Sequence, residues 1–131
     1  MIAAIRNLPA RLRQALRRAA QVCRAARYAS LNGPLQQHLA EGTLIQASTF
    51  LRTLGVEDAG IRSFRSHYGK KVKAAYRQAH GNLDPAKAWV MIDGRWTSVH
   101  VYNPSDPALA AGVAAYPRLA EYIAAAHQLA A

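Results

Sequence analysis

Residues 61–80 constrain the chain most, because two patterns run through them at once. Ile61, Phe64, Tyr68, Val72, Ala75 and Ala79 recur at steps of three and four, the spacing of a single helical face. At about 100° per residue, Arg62, Ser66, Lys70, Lys73, Arg77 and His80 fall on or near the opposite side. Arg65 flanks that side and Lys71 stands clearly off it. No acidic residue interrupts the stretch. A solvated surface helix is the plain reading of such a two-faced element. Ordinary solvated helices, however, intersperse carboxylates with their cations, because like charges one turn apart repel. Here every charge has one sign, and phosphate anions would relieve the repulsion.

The whole chain shares this bias. Seventeen Lys and Arg face seven Asp and Glu across 131 residues, a formal net charge of +10. Such a field attracts nucleic acid, an anionic membrane or an acidic protein, and charge alone does not choose among them. The length suits one domain with an arm. Cys23 is the sole cysteine, so an intramolecular disulfide and a cysteine-based zinc site are both excluded, and a reducing cytoplasm is expected. No apolar run approaches the roughly 18 residues a membrane span requires, and no secretory leader is recognised at the start. No membrane partner is expected.

Seven arginines, Arg6, Arg11, Arg13, Arg17, Arg18, Arg24 and Arg27, precede the first acidic residue, Glu41. Pro9 suits a first helical turn, and Leu12, Leu16, Ala19, Cys23 and Ala26 then recur at helical spacing. The expected element is a helix whose small-residue stripe packs on the domain or on a second copy. Arg13, Arg17 and Arg24 would form a secondary basic arm. A membrane-surface helix is the alternative, weakened by the Ala-rich stripe and by the lack of an aromatic before Tyr28. An organellar transit peptide would share this composition. Asn32-Gly33-Pro34 is turn chemistry, which divides the chain into an arm at 1–32, a domain at 33–103 and a tail at 104–131.

Within the domain, residues 35–41 read as a short helix ended by Gly42, and 43–45 as an extended segment. Ser48 or a neighbour is expected to cap a helix carrying Phe50, Leu51 and Leu54 that stops at Gly55. Glu57 and Asp58 then favour the N-terminus of the next helix. Beyond Gly81, β-branched and aromatic residues flank Asp93-Gly94, the pairing that supplies the positive φ angles of a two-residue type I′ hairpin. Arg95 lies at its tip. In the tail, Asp106-Pro107 reads as N-cap and first turn. Pro117 should kink or split the Ala-rich helix that follows, which closes the core or makes a dimer contact.

Two helices joined by a tight turn and followed by a hairpin give residues 43–103 an order that resembles the winged helix-turn-helix family. Together with the basic N-terminal helix and the Ala-rich C-terminal one read above, the resemblance implies an α+β, mostly helical fold. It also implies that helix 61–80 enters the major groove of duplex DNA while the Arg95 tip touches adjacent backbone or minor groove. Arg62, Arg65, Ser66 and His67 would then reach base edges, where Arg pairs bidentately with guanine, and Lys70, Lys73 and Arg77 would meet phosphates. The run from Phe64 through Tyr68, Gly69, Lys70, Tyr76, Arg77 and His80-Gly81 into the hairpin is similar to segments of bacterial plasmid and phage regulators. The Ala and Arg richness suggests an actinobacterial source.

Other classes fit less well. The carboxylates are scattered through turn and cap positions, and the five histidines show no metal-ligand spacing. No catalytic residue, metal, cofactor or small-molecule ligand is therefore expected. Gly69-Lys70 fails as a phosphate-binding loop, because Phe64 stands where its first glycine belongs and Lys71 replaces its Ser or Thr. Gly69 weakens its helix by about 1 kcal/mol relative to Ala, or marks a close approach. Trp89, Trp96, Tyr68, Tyr76 and Tyr102 would suit stacking on single strands or RNA, though core or hairpin packing explains them more economically. A basic adaptor or inhibitor of an acidic protein is the remaining alternative.

Overall fold

Most elements of the chain start or stop where local backbone chemistry requires it, as the computed structural model shows for residues 9–130. The fold is α+β and mostly helical, with six helices and one three-stranded antiparallel sheet among the described residues. The first eight residues of the arm, Arg6 among them, lie outside the described residues.

Helix α1 spans Ala10–Asn32 behind Pro9. The small-residue stripe does not dock it along its length: Leu12 and Leu16 are 46% and 45% exposed, and Ala19, Cys23 and Ala26 are exposed as well. An Ala-rich stripe offers too little area to hold the helix down, and the attachment falls to two larger side chains at its end. Tyr28 stacks on Trp96 at 4.7 Å and 16° and tilts against Trp89 at 5.0 Å. The buried Asn32 accepts from the Trp89 N–H and donates to the Trp89 carbonyl, closing the helix onto the sheet.

Helix α2, Leu35–Glu41, ends at Gly42 as its sequence requires. Strand β1 is only Ile45–Gln46, and helix α3, Ala47–Thr53, follows without a loop. Gln46 therefore occupies the N-cap, with no side-chain cap bond, and Ser48 sits inside the helix rather than capping it. The strand pairing of Gln46 with Val101 consumes the residue a capping loop would have used. Helix α4, Asp58–Ala79, starts three residues before Ile61, because Glu57 takes an extended N-cap conformation and Asp58 fills the first turn, where a carboxylate complements the helix dipole.

Strands β2, Lys87–Ile92, and β3, Arg95–Tyr102, form the expected hairpin, with Ile92 opposite Arg95. Asp93 and Gly94 adopt φ of 50° and 79°, the left-handed pair that a type I′ turn demands. The sheet order is β1-β3-β2. Helix α5, Pro107–Ala114, is capped by Asp106, whose carboxylate accepts from the Ala108 N–H at 2.9 Å. Pro117 splits the tail and opens helix α6, Pro117–Ala130. Among the described residues no helix is long and apolar enough to cross a membrane.

The tail closes the core at home. Leu109, Leu119 and Ile123 are buried with Leu51, Ile61, Tyr68, Val72 and Tyr102. Helices α4 and α5 approach so closely at Gly112 that an added Cβ would lie 2.5 Å from the Val72 Cγ2 and 3.1 Å from the Tyr68 Cε1. Beside that contact the buried Tyr68 hydroxyl donates to the Leu109 carbonyl at 2.8 Å. Burial pushes its phenol pKa up, with Tyr102 adding to the shift. The apolar face read from residues 61–80 thus turns inward from Ile61 to Ala75, with Ala79 exposed, and the cationic face is left to the other side.

Candidate nucleic-acid interface

That cationic face forms one wall of a cleft of about 800 Å³. Helix α4 contributes Arg65, Ser66, Gly69, Lys70 and Lys73, the hairpin contributes residues 91–93, Arg95 and 97–100, and α3 adds Ala47 and Ser48 from its start and Arg52 from its last turn. The cleft exists because β1 is so short. It pairs only with Val101 and Tyr102, so the rest of β3 borders open space instead of a third strand.

Five cations, Arg52, Arg65, Lys70, Lys73 and Arg95, line this cleft against a single carboxylate, Asp93. Two of them are partnered. The Arg65 guanidinium donates to Asp93 at 2.9 Å, and Arg52 lies 3.4 Å from Asp58. Lys70, Lys73 and Arg95 make no ion pair among the described residues. The hydrogen bond from Arg65 and its charge, with Arg62 adding a smaller effect, hold the Asp93 carboxyl below the usual carboxylate range. Asp93 therefore stays ionised through ordinary pH and offsets one cation of the wall.

The sequence-derived candidates divide in space. Arg65, Ser66, Lys70, Lys73 and Arg95 converge on the cleft. Arg62 is exposed on α4 outside the lining set. His67 points toward the tail, edge-on to Tyr116 at 6.1 Å. Arg77, near the far end of the helix, pairs with Asp84 at 3.4 Å. On the arm, Arg13 is half-buried and Arg17 and Arg24 are exposed. Arg24 reaches a second, smaller notch of about 470 Å³ with Tyr28, Gly94, Arg95, Trp96 and Thr97.

Sequence reasoning missed Arg52. It is the only cation of α3, and only the tight turn onto α4 brings it beside Arg65. Gly69 also reads differently in space: a Cβ built there meets nothing within 4 Å, so this glycine marks no close packing and instead leaves the cleft wall bare. Among the described residues no group of three or more His, Cys, Asp or Glu is placed to hold a metal ion. No known family model, curated protein or solved structure matches the chain.

Proposed function

We propose that this protein binds duplex DNA in the manner of a winged helix-turn-helix, with helix α4 and the β2–β3 hairpin gripping the two sides of the cleft. The observation that carries the reading is the cleft wall, where five cations face one carboxylate. Phosphate supplies the missing counter-charge at the required density. The order of elements supports it too, since α3, a tight turn and α4 precede a hairpin that β1 extends to three strands.

On this reading Arg62, Arg65 and Ser66 lie toward the N-terminal half of α4, where a recognition helix meets base edges, while Lys70, Lys73 and Arg95 hold backbone. The biological role that suits such a protein is a transcriptional or other plasmid- or phage-type regulator of bacteria. Single-strand or RNA binding by base stacking draws less support. Tyr28 already packs against both Trp89 and Trp96, and Tyr68 and Tyr102 are buried.

The test is a titration of duplex DNA, single-stranded DNA, RNA and an acidic polypeptide at several salt concentrations. Three phosphate contacts in the cleft, at Lys70, Lys73 and Arg95, predict a log–log salt slope of about −2.7 for the duplex. Tighter binding to single strands, or a flat salt response, would overturn the proposal.

A further inference from the structure

The arm and the hairpin tip meet in a way the cleft does not require. Arg95 and Thr97 line both the cleft and the smaller notch behind the tip, so the cationic surface continues past the hairpin onto α1. At about 100° per residue, Asn32, Tyr28, Arg24, Arg17 and Arg13 fall within an arc of about 100° on that helix. Asn32 and Tyr28 fix this arc against β2 and β3. The three arginines are therefore held on the hairpin side, in a row leading away from the notch.

With a helical rise of about 1.5 Å per residue, the row from Arg24 to Arg13 extends about 16 Å. Duplex DNA advances about 3.4 Å per base pair, so the row matches about five base pairs of backbone. Residues 10–32 contain no acidic side chain, and two copies of α1 laid together would set arginine against arginine. A polyanion complements this face better than a second copy does.

We infer that a duplex whose backbone enters the cleft runs on past the hairpin tip, and that Arg24, Arg17 and Arg13 contact that backbone over about five further base pairs. This rests on the duplex-binding reading and extends its footprint. The notch would hold the first of these phosphates, between Arg24 and Arg95 beside the Tyr28–Trp96 stack.

The experiment measures affinity for mixed-sequence duplexes of increasing length, with salt titrations, for the full chain, for R13A/R17A/R24A and for K70A/K73A. Alanine favours the helix, so circular dichroism should show α1 intact. The expected result is that affinity reaches its plateau about five base pairs sooner in the arginine variant, with a salt slope shallower by about 2.7. K70A/K73A should weaken binding at every length and keep the longer plateau. An arginine variant with the wild-type plateau and slope overturns the inference, as does loss of acidic-polypeptide binding with duplex binding intact. If neither variant changes duplex binding, the cleft reading itself falls.

Discussion

The Arg65 guanidinium and the Asp93 carboxylate meet at 2.9 Å, joining the first half of α4 to the hairpin turn across 28 residues of chain. The pair ties the hairpin turn to α4 and also masks a cation in the cleft. Asn tolerates the left-handed conformation that Asp93 adopts, so Asp93→Asn should keep the turn and release Arg65. Duplex affinity is expected to rise several-fold at low salt, with the salt slope steeper by about one phosphate. Fluorescence anisotropy at graded salt measures both, and weaker binding would show that orienting the hairpin matters more than the charge.

The same pair sets a pH dependence. Because Arg65 lowers the Asp93 pKa in the folded chain, the pair stabilises the fold above the unfolded-state value of about 4. That contribution is lost as pH falls through the lowered value. Thermal melts between about pH 2 and pH 6 should show a shallower acid limb in Asp93→Asn than in the wild type.

At high pH the sign reverses, through Tyr68 and Tyr102. Burial raises both phenols, Tyr102 to about 12. Their contribution is complete below the unfolded-state value of about 10 and is lost as pH rises through the folded values. Tyr68→Phe removes one of these groups and strands the Leu109 carbonyl, for a cost of about 1 kcal/mol at neutral pH. Its stability should then fall less steeply in alkali, as urea melts across that range would show.

Two glycines separate packing from binding. Gly112→Ala drives a methyl into Val72 and Tyr68 and should cost about 1–3 kcal/mol in denaturant unfolding. Gly69→Ala meets open space and should stabilise the helix by about 1 kcal/mol. Gly69→Glu should fold as well as wild type yet weaken duplex binding at least tenfold, because it sets a carboxylate in the cleft wall. Unchanged binding in Gly69→Glu would count against the cleft as the site.

What was legible in the sequence is what local chemistry decides. Asp93-Gly94 announces its turn through two left-handed residues, Asp106-Pro107 announces a cap, Pro117 a break, and the spacing from Ile61 onward a buried face. The misreadings are tertiary. Ser48 lost its capping role because Gln46 is held in a strand by Val101, a partner 55 positions away. Leu12 and Leu16 have helical spacing yet stay about half exposed, since nothing in periodicity says whether a stripe meets a surface. The candidate site was legible as a cationic face but not as a cleft. The Arg65–Asp93 pair, the arrival of Arg52 and the Tyr28–Trp96 stack all depend on how the hairpin folds back.

Asn32 spans the join between arm and sheet with two hydrogen bonds to one residue, Trp89, so α1 is a strut fastened at its C-terminal end and not a tethered tail. Should the duplex follow both the cleft and the strut, the angle between α1 and α4 becomes the curvature imposed on the DNA. Selectivity then arises without base contact, because flexible pyrimidine–purine steps bend at lower cost than stiff A-tracts. A side chain that only fastens a helix to a strand would in this way help choose the sequence that the protein prefers.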